Sequence, residues 1–531
     1  MYIGLAKIMK KNPQTNVTFF SLIAAFGGFV FGLDAANISG AIRFVSSEFE
    51  LSALQQGNVV GCALLGVILA LFFTGKLVDK FGRAKVLLAI AFTYSLSSLL
   101  SATAVNYEML VVGRFIGGVA FASITVSAMY IGEIAPAEQR GKFVSVNQFM
   151  IGLGLLCAFV INYFLVKSIN TIEWIDTSNV WRIMLGAELI ANAVWILLLL
   201  KIPESPRWLI MKGKQQQAHA VFEKIAIPSR IDMLVSEVKK NLQIETSLSP
   251  LNQLKLMFSG RFRFVLLLAA VYAVVQGATG MNAVLFFAPM VFEQVGMSVE
   301  DTFMQTITTG IVGLLATLIA IFFIEKLGRR FLTLAGLVLV VVAHASTSYG
   351  FSNARYVFSS EAVSEISVEL TKQNIATDQI KLLAGREFSS DVELKTVLAE
   401  HFSNKELPIV NGTVINATAQ GINATLVLFG IFAFLAAFNL SIGPIMWVIF
   451  SEVFPTSIRS VALPFAALIQ TISSWSIQQF FPWQLDNLGV SYIFMLYGII
   501  GFAGLVIMYF ILPETKGKTI EAIENELSKV G

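Results

Sequence analysis

The chain has 531 residues, of which 56% are hydrophobic and 13% charged, and its mean hydropathy is +0.74. Soluble domains carry about 25% charged residues and are less apolar, so a water-soluble single domain is excluded. The net charge is only +3 and no Lys/Arg cluster interleaves with aromatic residues, which argues against nucleic acid as a partner.

Lys7, Lys10 and Lys11 precede the first apolar window, which contains Asp34 and lacks a small-residue cleavage site; it therefore reads as a retained first helix rather than a removable signal. Windows long enough to span a bilayer, roughly 20 apolar residues each, recur at 17–40, 55–76, 86–105, 108–131, 142–167 and 180–201. Six more follow at 262–290, 303–325, 331–352, 421–451, 461–484 and 490–512. Most of the Lys and Arg residues fall in the two termini and the even-numbered connections, and the short odd-numbered ones hold few. By the positive-inside rule this puts both termini in the cytoplasm of a multi-pass protein of the cell (plasma or inner) membrane.

The pattern breaks twice. Residues 203–261 hold short amphipathic helices such as AHAVFEKI and read as a cytoplasmic helical linker between a six-helix bundle at 1–202 and a second at 262–512. Residues 353–420 interrupt the second half with acidic, amphipathic segments on the outer side. Their apolar positions Ile366, Val368, Leu370, Ile375, Ile380, Leu382 and Leu383 are expected to bury one another in a small folded cap. Residues 513–531 form a cytoplasmic tail. The expected fold class is all-α integral membrane, twelve helices in two bundles.

Internal repetition supports two halves independently of hydropathy. Asp79-Lys-Phe-Gly-Arg83 is echoed by Glu325-Lys-Leu-Gly-Arg329, Glu133-x-x-Pro136-x-x-x-Arg140 by Glu452-x-x-Pro455-x-x-x-Arg459, and Pro203-Glu204-Ser205 by Pro513-Glu514-Thr515. Two parallel repeats of six spans are the plan of transporters that rock one bundle against the other around a midplane site. Arginines and carboxylates at helix ends on one face form a candidate inner latch between bundles: Arg83, Glu133, Arg140, Glu204, Glu325, Arg329, Glu452 and Arg459. Within the hydrocarbon, where ionisable groups are costly, Asp34 in FGLDAANISG and Arg114 in VVGRFIGGV stand out as functional candidates.

These motifs, together with GKLVDKFGRAK from Gly75, PESPRWL from Pro203, QGATGMNAVLFFAP from Gln276, GPIMWVIFSEVFPTSIR from Gly443 and PETKGKT from Pro513, resemble the sugar porter branch of the major facilitator superfamily over nearly the whole chain. The long outer loop is similar to that of proton-linked inositol carriers. The resemblance implies a secondary transporter importing a sugar or polyol by alternating access, with passive facilitation or nutrient sensing as alternatives. It implies proton coupling through Asp34 and Arg114, a moving guanidinium switching the carboxylate's proton affinity. It also implies a central pocket lined by Gln148, Gln276, Asn282, Trp447, Gln470 and Phe286, where amides meet sugar hydroxyls and an aromatic ring meets their C–H faces.

Leu155, Gly277, Phe286, Gly313 and Thr471 depart from the family pattern, so the pocket is expected to be roomier and less polar than one for glucose or xylose. Gly277 and Gly280 are expected to break the seventh span locally. His219, His344 and His401 are scattered, Cys62 and Cys157 lie in apolar runs, and no phosphate-loop or dinucleotide fingerprint occurs. No metal, cofactor or catalytic residue is expected, and the unit is expected to function as a monomer, with sugar, protons and the lipid bilayer as its partners.

Overall fold

The computed structural model describes residues 13–136, 139–169, 171–244, 250–373, 375–455, 457–518 and 523. Lipid offers backbone groups no hydrogen bonds, so apolar runs of this length must satisfy themselves as helices. Among the described residues twelve helices are long and apolar enough to cross a membrane, by length and composition. Spans one to six are Pro13–Glu48, Ala53–Phe81, Arg83–Ala102, Tyr107–Ile134, Ser145–Lys167 and Val180–Leu199. Spans seven to twelve are Arg263–Phe286, Val299–Ile324, Arg329–Phe351, Ala424–Val453, Arg459–Asn487 and Val490–Ile511. Spans one to six form one bundle and spans seven to twelve the other, an all-α membrane fold.

Local chemistry sets where the helices begin and break. Ser52 and Gln55 form a reciprocal capping box at the start of span two, and Asn106 and Ser298 cap spans four and eight. Span seven is interrupted at Gly280, which adopts a left-handed φ of 90°; a Cβ there would come within 2.3 Å of the Tyr497 ring. Gly277 stays helical. Its lack of a side chain lets span seven press on span eleven, because a Cβ would sit 2.9 Å from the Gln470 carbonyl oxygen.

Between spans six and seven lie short helices at Pro206–Met211, Gln215–Ile225, Ile231–Ile244 and Pro250–Met257. This end is termed the linker face. The opposite, insertion face carries a folded unit between spans nine and ten. A three-stranded antiparallel sheet is ordered Glu387–Phe388, Arg355–Val357, Ala419–Gln420, with helices Ser360–Lys372, Asp378–Leu382, Asp391–His401 and Leu407–Thr418 around it. Its own core contains Tyr356, Phe358, Ile366, Leu370, Ile375, Ile380, Leu383 and Leu394. Two of the seven positions expected inside point outward instead: Val368 is 56% and Leu382 73% exposed. Val368 falls between the inward positions Ile366 and Leu370 on its helix, and Leu382 ends a five-residue helix too short to bury more than one face.

Candidate functional site

The linker face explains the repeated motifs. Gly82 and Gly328, at φ 97° and 88°, turn the chain sharply between spans two and three and between spans eight and nine. A Cβ at Gly82 would lie 2.3 Å from Glu204 Oε2, and one at Gly328 would lie 2.6 Å from Glu514 Oε2, so both corners need glycine. Into the space left, Glu204 Oε1 accepts from the backbone N–H of Arg83 at 2.7 Å and of Ala84 at 3.1 Å. Glu514 does the same for Arg329 at 3.0 Å and Arg330 at 3.1 Å. Each carboxylate therefore caps a helix N-terminus, where the unpaired N–H groups and the helix dipole favour an anion. Burial acts to raise the Glu514 pKa, but the backbone N–H groups of Lys516, Arg329, Arg330 and Thr515 outweigh it and hold the carboxyl below the ordinary glutamate range.

Beside each cap lies a charged pair. Arg83 meets Glu133 at 2.9 Å, with Ser205 donating to the other carboxylate oxygen. Arg329 meets Glu452 at 2.8 Å, with Thr515 donating at 2.6 Å. These pairs join helices within a bundle, which corrects the expectation of a latch between bundles. Arg83 and Glu133 belong to the first bundle and Arg329 and Glu452 to the second, Glu204 and Glu514 follow spans six and twelve directly, and the tight glycine corners seat each arginine against its own neighbour. Arg459, another of the latch candidates, donates through Nε and Nη2 to the Phe454 carbonyl at 3.0 and 2.8 Å. The side chains of Arg140 and Glu325 lie outside the described residues.

Among the described residues, charged pairs cross between bundles on the insertion face. Arg43 at the end of span one pairs with Glu293 beyond span seven. Lys167 at the end of span five meets Glu300 at 3.3 Å, and Tyr163 donates to the same carboxylate at 3.2 Å. Spans two and eleven touch so closely that a Cβ on Gly57 would lie 1.8 Å from the Gln479 carbonyl oxygen. Gln479 Nε2 in turn donates to the Leu54 carbonyl at 2.9 Å. The bundles are closed against each other on this face.

Inside the first bundle, Asp34 on span one and Arg114 on span four meet at 2.6 Å, and the two residues are 3% and 1% exposed. Glu188 on span six, 2% exposed, lies near enough to Asp34 and Arg114 for their charges to act on it, and accepts from Asn192 Nδ2 at 3.0 Å. Two carboxylates against one guanidinium leave one negative charge uncompensated in a dry interior, and a single bound proton neutralises the group. The sequence reading missed Glu188, although an acid in the middle of the sixth apolar window was the signal that exposed Asp34.

The expected pocket residues are only partly brought together. Gln470 Nε2 donates to Gln276 Oε1 and to Ser474 Oγ, each at 2.9 Å, so spans seven and eleven satisfy their amides against each other. Gln148 lines a cavity of about 50 Å³ between spans five, seven, eight and ten, with Leu155, Gly313, Thr317 and Asn439. Asn439, also missed, fills the space beside Gly313, where a Cβ would lie 3.5 Å from Asn439 Nδ2. Trp447, Asn282 and Phe286 are not part of that wall. Trp447 is 47% exposed and sits edge-on to Phe450 at 6.0 Å, Asn282 is half-buried beside the wall residue Met281, and Phe286 is packed in the core. The single pocket expected of these six residues is therefore divided, because span seven's inward amide is tied to span eleven and Phe286 faces helix packing. Among the described residues no group of three or more His, Cys, Asp or Glu is placed to hold a metal ion.

Twelve spans in two bundles, mirrored charged corners at one face and buried charges in one bundle define the class, a membrane carrier of the major facilitator fold. The family model described as "Sugar (and other) transporter" matches residues 20–366 and 408–527, and the chain belongs to that family. The unmatched stretch between these segments lies within the insertion. The chain is 28% identical over 519 residues to the arabinose-proton symporter of Bacillus subtilis, covering 98% of this chain and 96% of that protein. It is 29% identical over 549 residues to the D-xylose-proton symporter of Escherichia coli, covering 97% and 96%. The inward-open structure of the xylose transporter XylE from E. coli aligns with a TM-score of 0.71 and 27% identity, covering 96% of this chain and 99% of that one.

Proposed function

We propose that this protein imports a sugar or polyol together with a proton by alternating access. The observation that carries this reading is the buried Asp34–Arg114–Glu188 group, ionisable side chains at helix depth suited to holding a proton, in a family whose similar members are named sugar-proton symporters. In this reading the insertion face is the outside, since the two termini and the even-numbered connections, the linker among them, together carry most of the basic residues. Closure of that face by Arg43–Glu293 and the fit to an inward-open relative describe a state reached from the cytoplasm.

In this reading Asp34 and Glu188 share one proton beside Arg114, and Gln148, Gln276, Asn282, Gln470 and Trp447 meet the substrate once the bundles move apart around it. Rearrangement breaks the Gln276–Gln470 bond and gives both amides to sugar hydroxyls. The corner pairs Arg83–Glu133 and Arg329–Glu452 hold each bundle rigid as it rocks. One chain contains both bundles, so the monomer in the bilayer of the cell membrane is the working unit.

Proteoliposomes offered radiolabelled D-xylose, L-arabinose, D-glucose and myo-inositol, with and without an imposed proton gradient, test the reading. Accumulation of at least one compound against its gradient, driven by the pH difference, is expected. Equilibration that ignores the pH difference would make the protein a facilitator, and no uptake of any compound would end the proposal.

A further inference from the structure

A second cavity, of about 160 Å³, lies under the insertion where all three parts of the molecule meet. Arg43 comes from the first bundle, Glu293, Gln294 and Asp486 from the second, and Lys395 and Asn411 from the insertion. The cations in its wall are engaged, with one carboxylate in excess. Arg43 pairs with Glu293, while Lys395 reaches Asp391 at 3.4 Å, Asp486 at 3.8 Å and the Leu485 carbonyl at 3.1 Å. Two amide oxygens in the wall have no hydrogen-bond partner: Gln294 Oε1, on a residue 5% exposed whose Nε2 is taken by the Met290 carbonyl, and Asn411 Oδ1.

Such a wall needs hydrogen-bond donors. A hydroxyl-rich molecule supplies them, whereas an anion would add to the excess of carboxylate. A single water needs about 10–15 Å³ by the same measure, so the cavity has room for a molecule of roughly ten heavy atoms. Ser52 and Asn404, both exposed in its rim, leave it reachable from solution.

We infer that this cavity is a second binding site for a monosaccharide or cyclic polyol, distinct from the central one and built by the insertion. The inference rests on the transport reading for the ligand class but not for the site. Because the wall is shared by both bundles, a ligand there favours the state with this face closed.

Equilibrium binding of the same four radiolabelled compounds to the purified full chain in nanodiscs tests it. Two equivalents are expected for the wild type with at least one compound. Gln294→Leu should remove one equivalent or weaken it about tenfold while the other is retained, which also shows that the variant is folded. Asn411→Leu should act on the same equivalent, and Gln276→Ala on the other. A single equivalent that is indifferent to Gln294→Leu and lost in Gln276→Ala overturns this site and leaves transport standing. Absence of both binding and uptake removes the transport reading, and this site with it.

Discussion

At the linker face the two bundles are near copies: Arg83, Glu133 and Glu204 in the first hold the same arrangement as Arg329, Glu452 and Glu514 in the second, down to the glycine that admits each capping carboxylate. At helix depth the likeness ends. The first bundle buries Asp34, Arg114 and Glu188, whereas the second buries an imidazole and hydroxyls and half-buries a pair of amides: His344 against the Thr279 carbonyl at 3.0 Å, Tyr272 with Thr333 at 2.8 Å, and Gln276 with Gln470. Geometry that serves the mechanics of rocking is kept in both halves, and chemistry is divided between them. In our reading the proton belongs to the first bundle and most of the sugar recognition to the second.

The strongest test of that division exchanges the buried acid for its amide. Asp34→Asn cannot exchange a proton, so accumulation under a pH gradient should fall to the level of empty vesicles while sugar exchange persists. His344→Gln, the corresponding change in the second bundle, should keep pH-driven accumulation even if it lowers thermal stability through lost packing on Phe434, whose ring lies 4.2 Å away. Equal loss of accumulation in the two variants would erase the distinction between bundles.

Glu188→Gln sharpens the comparison within the first bundle. With one carboxylate left against Arg114, the group is balanced without a proton, so downhill uptake should continue with a flattened pH profile and reduced accumulation. An unchanged pH profile would show that Glu188 takes no part. A smaller effect is expected across the divide. Gln276→Ala removes one amide from the second bundle and should weaken apparent sugar affinity about tenfold, the worth of roughly one hydrogen bond to a ligand hydroxyl. Its pH dependence should match the wild type, and a shifted pH profile would mean that proton and sugar sites are not divided in this way.

What the sequence made legible follows the same physics. The twelve spans were readable because a bilayer tolerates only closed backbone hydrogen bonding, which makes long apolar runs unambiguous. Asp34 and Arg114 were readable because charge at depth is rare, and Glu188 should have been found by the same rule. Pairing partners were not readable. The motifs identify which arginines and carboxylates matter, but whether Arg83 closes on its own bundle or on the other is decided by the corner at Gly82 and by helix packing. The insertion's helices announced themselves by amphipathic spacing, whereas its strands, two or three residues long, are too short to show a period of two. The closed face was hidden most completely, since Arg43 and Glu293 lie 250 positions apart and neither sits in a repeated motif.

The smallest expected effect concerns the duplicated corner itself. Glu514 is held below the ordinary glutamate range, so its contribution to stability is fully present above the pKa it has in the unfolded chain and is lost as the pH falls through its lower folded value. The carboxylate is partly open to solvent, which screens it, and a charge at a helix N-terminus is worth about 0.3–1 kcal/mol. Glu514→Gln should therefore lower the unfolding temperature slightly at neutral pH, and the gap to wild type should close as both are acidified below the glutamate range. If the corners are mechanical equivalents, Glu204→Gln should lower stability at neutral pH in the same direction. Thermal unfolding of the purified protein across a pH series measures all of this. A Glu514→Gln gap that stays constant down to strongly acidic pH would mean that the carboxylate's charge does not hold this corner, and that its shape alone does.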